Sequence, residues 1–416
     1  MIVAVGIFAV ALGLIATERM DRTKVAALGA TLVLLTQTID QEQAIESIDF
    51  NTIGLLAGMM LMVKITESTG VYAWLAIRTG QLANGRSAVL VWSLAATTAV
   101  LSAFLDNLTT VLLVVPMTFL IAEEFEIDPL PLVIIEIIAS NIGGTATLIG
   151  DPPNILIAGA TGLTFTEFLV NLAPVVIVTF LVITAGLYAV FRKRLRIDPV
   201  VADRVEHMDA DGAITDADEL RRTLPILVLT ILVFFVHKQL HLEPATVALA
   251  GATVMLLVTR QKVEEALASI EWPTLFFFIS LFVLVGALEV TGAIDEVADG
   301  VASLTGGDRT AELLGITWAA ALGSAVVDNI PFTAAMIPVV EQLGGDTDDS
   351  YWWALSLGAC FGGNATLIAA AANVAAAGIA ERQGHHLSFV AFLKVGLPVT
   401  LVSIFIATLY ILLRYT

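Results

Sequence analysis

The chain has 416 residues, of which 57% are apolar and only 14% charged, a balance that excludes a soluble globular domain. Apolar runs near the bilayer's requirement recur along the whole length and do not alternate as barrel strands do, so the chain reads as an all-α polytopic membrane protein. Acidic residues outnumber basic ones 39 to 20, gathering in polar segments such as 40–49, 123–128, 209–219 and 344–350 as a solvated surface, which argues against nucleic acid as a partner.

The first apolar run, 1–16, has no basic stretch before it and no convincing cleavage site, so it reads as the first membrane helix, with a cleaved signal as the alternative. Arg19, Arg22 and Lys24 follow and mark the cytoplasmic side. The run at 24–39 then leads out to an acidic loop, and 52–67 returns. Residues 70–86, with Arg78 and Arg86, read as a surface helix on the cytoplasmic side. Next comes "SAFLDNLTTVLLVVP" (102–116), an Asp-Asn pair inside an oily run. If 87–122 crossed the membrane, the basic "RKRLR" (192–196) would lie outside. A re-entrant hairpin over 87–122 restores it to the cytoplasm, with 130–161 crossing outward and 168–191 inward.

The second half repeats the first. "EQAIESIDFNT" (42–52) resembles "EEALASIEWPT" (264–274), "LDN" (105–107) resembles "VDN" (327–329), and Pro116 matches Pro338, all at an offset of 222. "GGTATLI" (143–149) matches "GGNATLI" (362–368), and Asn154 matches Asn373, at an offset of 219. The expected units are 1–195, a cytoplasmic polar linker at 196–221, and 222–416. Five crossings per half, an odd number, make the second copy inverted. Inverted repeats with broken helices are the pattern of secondary transporters, whose sites sit near the midplane where half-helices meet. The chain therefore reads as a transporter in the cytoplasmic membrane rather than as an enzyme.

Four polar elements carry the chemistry: the tips Asp106-Asn107 and Asp328-Asn329, followed by Thr109, Thr110 and Thr333, and the two segments "SNIGGTATLIGDPPN" (140–154) and "GGNATLIAAAAN" (362–373). The Gly pairs (Gly143-Gly144, Gly362-Gly363) and Pro152-Pro153 are expected to break a helix at membrane depth. The breaks expose carbonyls together with Asn141, Thr145, Asp151, Asn154, Asn364, Thr366 and Asn373, oxygen-rich groups that suit sodium. For the Asn and Thr residues helix capping is a sufficient alternative account. Asp106 and Asp328 are the leading proton carriers, because an ionisable group at membrane depth is costly, with Asp151 and Glu136 next. Asp151 has only an alanine at its counterpart, so the halves are not equivalent. The single cysteine, Cys360, rules out an intrachain disulfide, and no His spacing fits a metal. No phosphate-binding loop is present, so any ATP drive needs a separate subunit.

"LSAFLDNLTTVLL", "SNIGGTATLIGDPPNILI", "VDNIPFTAAMIPV" and "GACFGGNATLIAAAANVAAAGIAE" resemble the ion transporter superfamily over nearly the whole chain. They are most similar to its arsenite-efflux pump membrane subunits and pink-eyed-dilution (P) proteins. The resemblance implies paired scaffold and transport regions, hairpins at 87–122 and 310–344, and broken helices near 143–154 and 362–373. Relatives that import dicarboxylates with sodium carry Ser-Asn-Thr at both tips, whereas these tips begin with Asp, and none of the four elements holds an Arg or Lys. The implied function is proton-coupled export of arsenite or antimonite. Sodium/proton exchange, sodium-coupled anion or carboxylate transport, and an anion channel remain as alternatives. No cofactor is expected beyond protons or sodium as coupling ions; the partners are the bilayer and a small inorganic ion. A homodimer and an ATPase subunit are both compatible with the resemblance.

Overall fold

The structure, a computed structural model, describes residues 1–17, 20–197 and 209–416, and among them every regular element is helical. The first half runs α1 (Ile2–Ala16), α2 (Arg22–Leu35), a short α3 (Gln41–Glu46), α4 (Phe50–Glu67), α5 (Val71–Leu82), α6 (Ser87–Phe104), α7 (Asn107–Glu124), α8 (Leu130–Gly144), α9 (Pro152–Thr161) and α10 (Phe165–Phe191). The second runs α11 (Ala217–Phe234), α12 (Pro244–Val258), α13 (Val263–Ala268), α14 (Trp272–Val290), α15 (Ala293–Thr305), α16 (Arg309–Val326), α17 (Asn329–Val340), α18 (Ser350–Gly362), α19 (Ala371–Arg382) and α20 (Phe389–Arg414). Each helix of the first half has its counterpart in the second in the same order, and α6 and α16 span equivalent residues at both ends. Aspartates that the composition showed only as surplus acid begin many of these helices. Asp21, Asp49, Asp106, Asp216, Asp308 and Asp328 each accept a hydrogen bond from a first-turn backbone N–H.

The repeat is inverted, and side-chain contacts show why. The start of α14 meets the start of α2, where Thr23 Oγ1 donates to the Pro273 carbonyl at 3.0 Å. Gly286, late in α14, packs against Ser47, beyond the far end of α2, so α14 runs parallel to α2. The start of α4 meets the start of α12, where Asn51 Oδ1 accepts from Ala245 N–H at 3.0 Å, and their ends meet where Gln261 donates to Ser68 at 2.7 Å. Since α4 starts at the side where α2 ends, α12 runs opposite to its counterpart α2. The two scaffolding pairs, α2 with α14 and α4 with α12, are thus each built from one helix of each half.

Among the described residues six helices have the length and hydropathy to cross a membrane, and α6 and α7 are among them. Their contacts make them the two arms of a hairpin. Leu105 and Asp106 are extended, which turns the chain back, and both arms return to α5: Thr79 pairs with Thr97 of α6 at 3.2 Å, and Gly80 packs on Ile121 of α7. Val327 and Asp328 make the same turn between α16 and α17.

The helices break within the expected 143–154 and 362–373. Gly143 and Gly144 complete α8, Gly362 completes α18, and the irregular stretch begins after them. Their work is close packing: a methyl on Gly143 would run into the Ala99 backbone of α6, and one on Gly362 into the Ala321 backbone of α16. Ala99 and Ala321 are themselves related by the repeat.

Of the expected linker, 198–208 lie outside the described residues, as does Arg19. Its later part docks on the α4–α5 junction: Thr215 N–H donates to the Thr69 carbonyl at 3.0 Å, and Asp211 accepts from Trp74 Nε1 at 3.1 Å and Arg78 Nη2 at 2.8 Å. These contacts, the indole hydrogen bond first and the guanidinium with it, hold the Asp211 carboxyl below the usual aspartate range. A carboxyl whose folded pKa is depressed contributes fully above its unfolded value, about 3.9, and is lost as pH falls through the lower folded one. Protease protection of 209–215 is therefore expected to hold at neutral and mildly acidic pH and to fade only below about pH 4; earlier loss, near pH 6, would contradict this.

A second expectation concerns the glycines. Gly143→Ala and Gly362→Ala should each destabilise the fold by about 1–3 kcal/mol through overpacking, read as a lower unfolding midpoint in detergent. Gly6→Ala, with nothing within 4 Å of the added methyl, should not lower the midpoint.

Candidate ion-binding site

Two helix breaks leave carbonyls without helical partners, and the same residue type closes both. Asn154, in the first turn of α9, donates through Nδ2 to the carbonyls of Thr145 at 3.1 Å and Thr147 at 2.8 Å. Asn373, in the first turn of α19, donates to Gly363 at 2.7 Å and Thr366 at 2.8 Å. Four of the break carbonyls that the sequence offered as cation ligands, those of Thr145, Thr147, Gly363 and Thr366, are thus engaged by amides.

The acceptor oxygens of these clamps face the opposite half. Asn154 Oδ1 accepts from Ser356 Oγ of α18 at 2.6 Å, with the Cys360 thiol 3.8 Å away. Asn373 Oδ1 accepts from Asn141 Nδ2 of α8 at 2.9 Å. Asn141 sits at the middle of a wholly buried network: its Nδ2 also reaches Asn364 Oδ1 at 3.1 Å, and its Oδ1 accepts from Asn107 Nδ2 at 3.2 Å.

Both hairpin tips converge on one carboxylate. Asp151 Oδ1 accepts from Asn107 Nδ2 at 3.1 Å and from Asn329 Nδ2 at 3.3 Å. Asp151 has no solvent-exposed surface, and its Oδ2 accepts from no nitrogen or oxygen donor among the described residues; the weak Cys360 thiol lies beside it. Asn364 Nδ2 and Thr110 Oγ1 are likewise buried without partners. A buried polar group left unsatisfied costs about 1–3 kcal/mol, so these atoms are where a proton or solute has most to offer.

The tip carboxylates are not bare buried charges, contrary to the sequence expectation. Asp106 is half-buried and caps its own helix, accepting from Thr109 N–H at 2.8 Å and from the Thr109 hydroxyl. Asp328 accepts from Ile330 N–H at 3.0 Å and pairs with Arg22 of α2 at 2.8 Å. Sequence reasoning missed Arg22: it looked for basic residues within the four polar elements, and this one arrives from a helix 306 positions away.

Several predicted residues serve structure. Thr145 Oγ1 donates to the Asn141 carbonyl at 2.8 Å, Thr333 Oγ1 to the Asn329 carbonyl at 2.7 Å, and Thr366 Oγ1 to the Ala325 carbonyl at 3.0 Å. Glu136 of α8 is buried and accepts from Thr118 of α7 through Oε1, while its Oε2 has no partner among the described residues; it takes no part in the amide network.

A family profile described as "Citrate transporter" matches residues 12–358. The chain belongs to the citrate transporter family. An uncharacterised transporter of Mycobacterium tuberculosis is 41% identical over all of this chain and 98% of its own length. The mouse P protein is 33% identical over 99% of this chain, which spans 60% of that longer protein. Among solved structures, the YdaH transporter of Alcanivorax borkumensis superposes with a TM-score of 0.62, covering 98% of this chain and 96% of that one, at 15% identity, a likeness of fold.

In this multi-pass transporter the amide network is the joint between halves, and its loss should be visible in stability. Asn141→Ala leaves the amide of Asn107 and the carbonyls of Asn364 and Asn373 each short of a partner, and is expected to cost about 2 kcal/mol or more. Thr366→Ala, which gives up one bond to a carbonyl, should cost about 1 kcal/mol. Equal unfolding midpoints for the two variants would refute the assignment of Asn141 as the hub.

Proposed function

We propose that this transporter is a proton-coupled antiporter of the cell membrane, with Asp151 as the proton carrier. One observation carries the reading: a single fully buried carboxylate is shared by the asparagines of both hairpin tips and keeps one oxygen free. A proton on Oδ2 supplies the missing hydrogen and removes a charge from an apolar setting; its release restores a carboxylate that attracts a cation or a polarised hydroxyl. Asp106 and Asp328 are secondary in this scheme, because each already has close donors.

The substrate we favour is arsenite or antimonite, exported against incoming protons. At neutral pH these travel as uncharged trihydroxides, and a site of asparagine amides with one carboxylate offers donors and acceptors to hydroxyls without demanding a net charge. Sodium fits less well, since the break carbonyls accept from Asn154 and Asn373. A second reading, a carboxylate substrate, draws support from the family's description and from Arg22, which pairs with the tip residue Asp328. It requires Arg22 to leave Asp328, and in its paired state the guanidinium is neutralised.

Proteoliposomes with an imposed pH gradient separate these readings when uptake of arsenite, antimonite, sodium, lithium and citrate is compared. Asp151→Asn keeps an acceptor for both tip asparagines and loses the titrating group. It should fold normally and lose pH-driven transport by at least about tenfold, whereas Asp106→Asn should keep most of it. Full pH-driven activity in Asp151→Asn would remove Asp151 from the coupling.

A further inference from the structure

We infer that Arg22 is the gate between a cavity on one side of the transporter and the buried amide network. A cavity of about 430 Å³ opens beside the start of α2, the end that the charge count assigns to the cytoplasm, and Asp21, Arg22, Val374 and Ala375 line it. A second hollow of about 20 Å³, room for about one water, touches Asn107 and Asn329, the two tip residues that hold Asp151. Arg22, Leu108 and Ala371 line both spaces, so these three side chains form the partition between them.

Of the three, Arg22 is the one held by a breakable tie. Leu108 and Ala371 belong to a hairpin tip and a half-helix start, whereas Arg22 reaches across from α2, which packs on α1 and α14. Its guanidinium donates to Asp328 at 2.8 Å and lies 5.0 Å from the centre of the Phe277 ring. The Asp328 side chain is 9% exposed and that of Arg22 is 23% exposed, so the pair is sheltered enough to hold and wet enough to break. The other half has no such device. The position equivalent to Arg22 is Pro244, and Asp106, the counterpart of Asp328, is satisfied by Thr109 of its own helix. Access from this side is therefore controlled by one charged residue, and releasing Arg22 from Asp328 joins the cavity to the network.

The inference rests on the transporter reading alone, not on the substrate or on Asp151. Its test therefore uses neither a substrate nor a gradient. Thr274→Cys places a reporter thiol in the inner hollow, and Ala375→Cys places one in the outer cavity. Cys360, fully buried, supplies the background. With a small charged thiosulfonate reagent added from the Arg22 side, the inner reporter should react slowly in the parent. Arg22→Ala should speed it about tenfold, the scale of one charge-assisted hydrogen bond. Arg22→Lys, which keeps a cation for Asp328, should stay near the parent. The outer reporter should react fast throughout. Asp328→Asn removes the charge that holds Arg22 without shortening Arg22 and should also raise the inner rate. The double variant Arg22→Ala/Asp328→Asn should exceed neither single one, since both remove one interaction. If Arg22→Ala disturbs the outer reporter as well, the Asp328→Asn arm decides. An inner rate indifferent to both substitutions, or effects that simply add, would overturn the gate.

Discussion

Everything at the centre of this molecule depends on how an interrupted helix is made tolerable in an apolar medium. A helix broken at membrane depth frees carbonyls that neither lipid nor water can satisfy. Asn154 and Asn373 solve this locally by folding their side-chain amides back onto the break. Because each clamp uses only its nitrogens for that task, its oxygen remains for the other half, and Ser356 and Asn141 take it. The same side chains that make the breaks affordable thus join the two repeats, and Asp151, the residue just before α9, inherits a fixed position from them.

Much of the architecture was legible in the sequence, because its causes are local. The repeat offset of 222 predicted paired hairpins, and α6 and α16 begin and end on residues related by it. Aspartate followed by asparagine at the tips signalled caps, and Asp106 and Asp328 both cap. The glycine pairs located the breaks but not their second role, since a glycine at a helix end and one that lets another backbone approach look the same in one dimension. Gly143 belongs to the second kind. The site was legible as a list of residues and not as a set of partners. Ser356 lies 202 positions from Asn154, and Arg22 lies 306 from Asp328; no local pattern encodes such pairs. Burial, too, was assigned evenly to three aspartates: Asp151 and Asp328 are buried, whereas Asp106 is half-buried.

The fold is duplicated, whereas the chemistry is single-copy. Asp151 corresponds to Ala370, Asn141 to Cys360, and Arg22 to Pro244. Cys360 approaches Asn154 where its counterpart Asn141 donates to Asn373, so the second amide bond is replaced by a weak thiol contact. Duplication supplies two tips and two breaks that meet. Divergence then leaves one aspartate shared by both tips and one arginine, so the two faces of the centre are chemically distinct.

The contact between Gly143 and Ala99, mirrored by Gly362 and Ala321, has a mechanical meaning. Backbones packed this closely, without side chains to act as rollers, cannot slide past one another. Ser102 and Ser324 pin the same seams by donating to the carbonyls of Ser140 and Ala359, each at 2.7 Å. Hairpin and broken helix in each half must therefore travel as one body. Any rearrangement that exposes the centre to the opposite side has to occur along the looser boundaries around that body.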